Sequence, residues 1–277
     1  MKTIVVPTDF SPVAANAMNY AVDMAQSINC SIVLLHVYQV PVIYSDTPVT
    51  PIETVSVDEM ERNAQQKLSE LKDNIFRVTS GKIKIYTENR FGETSEELEK
   101  LCNSIDPFAV VMGSQGETGI ERLLMGSTTL KTIRHLKYPV IVVPPGTSYK
   151  AIRKIGLACD YKNIIESTPV EFIRNIVREF GAELHVLNID HNDAHHNKEA
   201  LVESAWLEAL LGNIKPNYYF LDREDVVEGI NEFAETSNLD MVMVIPKNHG
   251  FLEGLFHKSK SKALINHSHI PVVSIHE

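Results

Sequence analysis

Residues 112–128 read MGSQGETGIERLLMGST, which places Gly113, Gly116 and Gly126 in a G-x-x-G-x9-G-[S/T] spacing completed by Ser127 and Thr128. A glycine directly after an apolar run has no Cβ to keep an anion away from the backbone N–H groups. Gly126, Ser127 and Thr128 then open a helix, whose free N–H groups and positive dipole end favour phosphate. Met112 precedes the first glycine and would flank the same path. The spacing also fits a plain glycine loop followed by a helix capped by Ser127, and glycine count alone does not choose between the two.

Two further segments belong to the same chemistry. Pro7, Thr8 and Asp9 end the apolar run that opens the chain, and His36 and Val37 end the next one. An aspartate at a strand end can accept hydrogen bonds from ribose hydroxyls, and the backbone at Val37 can pair with a base edge. Asp9 equally suits an Asx turn ahead of Ser11 and Pro12. Taken together, Asp9, Val37, Gly113 and Gly126 favour a nucleotide crevice. A phosphate-cradling Gly-Lys-[Ser/Thr] is missing, and neither a Ser-His-Asp nor a Cys-His arrangement emerges, so binding is expected ahead of catalysis. Glu121 and Arg122 lie between the glycines and could face phosphate or solvent.

These residues need elements to hold them, and the chain supplies the elements twice. Residues 4–9 (IVVPTD) recur at 155–160 (IGLACD), and 31–37 (SIVLLHV) at 182–188 (AELHVLN), aligned on His36 and His185. Residues 109–112 (AVVM) recur at 241–244 (MVMV), and 138–143 (YPVIVV) at 270–275 (IPVVSI). The offset falls from 151 to 149 and then to 132, so the second copy has lost residues; the stretch 39–57 is the expected loss. Helices are expected from the Ser11-Pro12 start to Ser27, over 58–75, over 95–105 behind a Thr94-x-x-Glu97 capping box, and over 127–136. Strands alternating with helices predict an α/β fold: tandem, doubly wound parallel sheets that bind ligands at the strands' carboxyl ends. The turn-rich stretch 144–149 sets the boundaries at 1–146 and 150–277.

The formal net charge of −10 excludes a broad nucleic-acid or anionic-membrane surface, though not one small anion site built from backbone groups. Cys30, Cys102 and Cys159 are too few and too scattered for a disulfide framework, which points to a cytoplasmic setting. No run reaches the roughly 18 apolar residues of a membrane helix. His191 and His195 sit in an acidic loop without a four-ligand set, so no metal site is expected there. Trp206 is read as the core anchor of an amphipathic helix.

The opening strand with Pro7, Thr8, Asp9 and Ser11, the His36-Val37 strand, the 113–128 glycine spacing and the YPVIVV strand together resemble the universal stress protein family in its tandem form. The resemblance covers the whole chain. It implies two five-stranded sheets of order 3-2-1-4-5 and ATP binding, with Mg²⁺ as the companion cation and little or no turnover. By that resemblance Asp9 meets the ribose and base end and Val37 the adenine. Met112, Gly113 and Gly116 line the ribose–phosphate path, and Gly126, Ser127 and Thr128 hold phosphates. By the same resemblance the halves would pair through their last strands as an intramolecular pseudo-dimer, with room for a further homodimer and an unidentified protein partner. In the second half Ile245, Asn248 and Lys258 replace the three glycines, and Ser259 alone matches, at Ser127. One ATP site, in the first half, is therefore expected, in a regulatory module whose 113–126 loop orders on the ligand. A slow ATPase or phosphotransferase, and an adaptor that has lost nucleotide binding, are the alternatives.

Overall fold

The computed structural model describes residues 2–39, 56–114, 126–159, 168–190, 198–245 and 268–275. The first half runs β1 (Thr3–Pro7), α1 (Pro12–Ile28), β2 (Ser31–Tyr38), α2 (Val57–Val78), β3 (Ile85–Phe91), α3 (Thr94–Ile105), β4 (Ala109–Gly113), α4 (Ser127–His135) and β5 (Val140–Val143). The second half runs β6 (Lys154–Ala158), α5 (Val170–Phe180), β7 (Glu183–Asp190), α6 (Lys198–Leu211), β8 (Asn217–Asp222), α7 (Val226–Thr236), β9 (Met241–Val244) and β10 (Val272–Ser274).

Within each half the strands are parallel and follow the expected order, β3-β2-β1-β4-β5 and β8-β7-β6-β9-β10. The halves do not form separate sheets. β10 pairs antiparallel with β5, Val273 opposite Ile141, and the result is one ten-stranded sheet. Alternation along the strands sends Ile4, Val6, Leu34 and Val111 to the face covered by α1, α2, α5 and α6. Val5, Leu35, Val110 and Met112 go to the face covered by α3, α4 and α7. Both cores continue across the β5–β10 seam, and each fully buried aliphatic side chain contributes about 1.5–3 kcal/mol.

Local signals set most boundaries. Ser11 caps α1 by accepting the Ala14 N–H at 3.2 Å, with Pro12 at the first helical position. α3 departs from expectation: its cap is Glu93, whose carboxylate accepts the Glu96 N–H at 3.0 Å, and Thr94 is already helical. The residues lost from the second copy come partly from a helix, since α2 has 22 residues and α6 has 14. Trp206 is no core anchor. It is 48% exposed, and Leu207 and Leu211 carry the buried side of α6.

The repeat is out of register with its most obvious identity. Ile4 pairs with Ile32, and Ile155 with Leu184. The Thr8 N–H donates to Leu35 O at 2.8 Å, and the Cys159 N–H to Leu187 O at 2.9 Å. With β1 and β6 superposed, Leu35 corresponds to Leu187, so His36 corresponds to Asn188 and His185 to Val33. The side chains agree: His36 Nδ1 lies 2.8 Å from the Thr8 carbonyl, and Asn188 Nδ2 donates to the Cys159 carbonyl at 3.0 Å. His185 is instead a buried ring stacked 5.5 Å from Tyr219.

Candidate functional site

The carboxyl ends of β1, β2 and β4 open on a crevice of about 380 Å³ on the α3/α4 face. β2, β1 and β4 are successive neighbours, so at about 4.8 Å per strand spacing the crevice crosses roughly 10 Å of sheet edge. Pro7, Thr8 and Asp9 supply its middle, Val37 one end, and Met112 and Gly113 the other. Gly126, Ser127 and Thr128 close that second end. Nine of the ten residues singled out in the sequence thus line one cavity. The tenth, Gly116, lies outside the described residues, as do Glu121, Arg122 and the stretch 115–125.

The turn after β1 is tightly specified. Thr8 Oγ1 accepts the Phe10 N–H at 3.1 Å, and Asp9 Oδ1 accepts the Ser11 N–H at 2.9 Å. The Asx turn is therefore real, and it fixes the Asp9 carboxylate on the crevice wall. Between them Phe10 is left-handed, φ 65, which is costly for a side chain with a Cβ. Packing holds it there: its ring lies 4.5 Å from His36, and the Lys67 ammonium sits 5.0 Å from its centroid.

The phosphate-type end is built differently. Gly126 is the N-cap of α4, φ −60 and ψ 144, and no side chain caps the helix. Capping by Ser127 does not occur. The Gly126 N–H donates to Ser114 O at 2.9 Å, and Thr129 Oγ1 to Gly113 O at 3.0 Å. The first turn of α4 is thereby fastened to the end of β4 while its leading N–H groups face the crevice, where an anion would be stabilised. Behind it Lys131 Nζ meets Glu93 Oε1 at 3.1 Å and ties α4 to the start of α3. Partial desolvation pushes the Glu93 carboxyl up, but the Ser95 hydroxyl, the Glu96 N–H and Lys131 outweigh it and hold it below the usual range.

The sequence reading missed Ala14, Leu35, Thr94 and Thr129, all on the crevice wall. Leu35 was accessible, because strand periodicity of two puts it on the same face as Val37. Thr94 and Thr129 come from helix starts whose approach only the tertiary fold fixes.

The second half has Ile245 at the place of Gly113, and it is buried in the core. A branched side chain there occupies the space a glycine leaves to backbone approach. Asp160, Asn248, Lys258 and Ser259 fall outside the described residues, as do His191 and His195. Among the described residues no group of three potential ligands could hold a metal ion, and no helix is long and apolar enough to cross a membrane. Burial pushes the Cys30 thiol up to about 11 and the Cys102 thiol to about 12, which leaves both inert at neutral pH.

The whole-chain architecture is similar to a crystal structure of a universal stress protein from Archaeoglobus fulgidus, TM-score 0.72 at 19% identity, covering 99% of this chain and 96% of that one. Two universal stress proteins of Methanocaldococcus jannaschii are each 28% identical to it, over 142 and 152 residues, half of this chain and 81% and 94% of theirs. The Universal stress protein family matches twice, at residues 1–144 and 152–276. With both copies accounted for, the chain belongs to the universal stress protein family.

Proposed function

We propose that this chain is an ATP-binding regulatory module with one nucleotide site, the crevice of the first half. The observation that carries the reading is the uncapped N-terminus of α4 opening into that crevice beside Gly113. Phosphates lie at Gly126, Ser127 and Thr128, the ribose hydroxyls at Asp9, and the base over Val37 some 10 Å away, two strands across. Mg²⁺ accompanies the triphosphate. Asp9 is the one ionisable side chain lining the crevice among the described residues, which supports binding over turnover. Residues 1–146 form the binding domain and 150–277 its degenerate partner, in a cytoplasmic protein.

Mass spectrometry of nucleotide released from freshly purified protein tests this, followed by calorimetric titration with Mg·ATP. Intact ATP at about one per chain is the expected result. Multiple-turnover phosphate release above a Gly126→Asp control would establish a slow ATPase instead. No measurable ATP affinity would leave an adaptor.

A further inference from the structure

A second cavity, about 560 Å³, lies where the stretch 145–150, between β5 and β6, crosses the end of α7 and the approach to β10. It is distinct from the crevice and larger. Leu239 and Ile270 give it an apolar wall. Tyr20 reaches it from α1 of the other half, and Asp240 from the turn before β9.

Tyr20 is 3% exposed overall, and it lines this cavity. Burial first, then Tyr149 and the Asp240 charge, raise the Tyr20 phenol, so it is a neutral donor and acceptor beside that carboxylate. Asp240 is itself fixed: Oδ2 accepts the Arg153 and Lys154 N–H groups at 2.8 and 2.9 Å. Both of those bonds fall on Oδ2, so Oδ1 is the oxygen left to face the cavity. At the rim stands Lys150. Glu235 and His269 line the cavity as well, so a simple anion would meet two carboxylates and a simple cation would leave Lys150 unused. A molecule with an ammonium at one end, a carboxylate at the other and a hydrocarbon branch matches the acidic, basic and apolar parts of the wall together.

We propose that this junction cavity binds a small aliphatic amino acid. Its ammonium donates to Asp240 Oδ1 and the Tyr20 hydroxyl, its carboxylate meets Lys150, and its side chain packs on Leu239 and Ile270. Such sites favour junctions between folding units, and the volume is ample. Ligand-observed saturation-transfer NMR and titration on the full chain provide the test. The probes are L-leucine, isopentylamine (no carboxylate) and isocaproate (no ammonium). L-Leucine binds, isopentylamine binds more weakly, and isocaproate gives no signal. Tyr20→Phe, which keeps the ring and its packing, weakens L-leucine about tenfold, in line with loss of a hydrogen bond to a charged group. Lys150→Ala weakens L-leucine and leaves isopentylamine unchanged. Absence of L-leucine binding to the wild-type chain, or equal affinity in Tyr20→Phe, overturns the proposal.

Discussion

The Thr129 hydroxyl donates to the Gly113 carbonyl at 3.0 Å, and through that bond the start of α4 is held at the end of β4. Thr129 is 3% exposed, so the bond is shielded from water. Thr129→Val keeps the shape and leaves the carbonyl unmet, at a cost of about 1–3 kcal/mol in urea unfolding. Calorimetry should show ATP affinity falling as well, although the hydroxyl is already committed to Gly113. Unchanged affinity would mean that the bond supports the fold alone.

Gly126→Asp separates stability from binding. The N-cap backbone is extended, φ −60 and ψ 144, so aspartate fits and caps a helix that has no side-chain cap. Its carboxylate then occupies the anion position. Thermal unfolding should stay level or rise, with a cap worth about 0.5–2 kcal/mol, while ATP affinity drops at least tenfold, or about 1.4 kcal/mol. A variant that loses both has simply unfolded its first half.

His185 makes the second half sensitive to acid. Both ring nitrogens lack hydrogen-bond partners, and the ring is buried against Tyr219, with exposed Glu183 Oε2 3.6 Å from Nε2. Burial lowers its pKa; Glu183 pulls it back up, and Lys154 pushes it further down. A lowered histidine means that the unfolded chain takes up the proton first. Stability is therefore full above the unfolded value, about 6.5, and falls as pH drops from there toward the folded value. His185→Val installs the residue type that β2 carries at the matching position, Val33. Urea midpoints at pH 7.5 and 5.5 should lie closer together in the variant than in the parent.

The β5–β10 seam should make unfolding a single event. Val273, opposite Ile141, is fully buried, and the cores on both faces continue past it. One calorimetric transition is expected for the parent. Val273→Asp puts an unpaired charge into the seam, costs several kcal/mol, and should split the trace in two. A single, merely shifted peak would show that the halves stay coupled by other contacts.

Which parts of this were legible in the sequence follows from how each is encoded. The residues after β1, β2 and β4 could be found because an apolar run ending in Asp9 or Gly113 marks a strand's carboxyl edge. The two-copy order was equally open, since each repeat carries its own β-branched strands. His185 misled: a shared His-Val pair suggested a match with His36, whereas backbone register assigns that place to Asn188, an amide that reaches the same carbonyl. Glu93 displaced Thr94 as the cap of α3 because Lys131, remote in sequence, helps hold its carboxylate. Trp206 followed a helical pattern, but the charges of α6 (Glu199, Glu203, Glu208) are spread around the helix, so periodicity could not say which side faces out. That the halves meet through their last strands follows from the family resemblance and is what β5 and β10 do; the antiparallel register of that join and the cavity beneath 145–150 arise only when the halves meet.

That join reverses direction halfway across the molecule. Every strand of one half points toward the rim from which every strand of the other half departs. The crevice above Asp9 and Gly126 and the hollow between Tyr20 and Asp240 therefore open along one rim of the slab, while Cys159 and Ile245 end their strands at the other. The chain is consequently two-sided. A body docking along one long border passes both openings at once, and one docking along the opposite border meets neither.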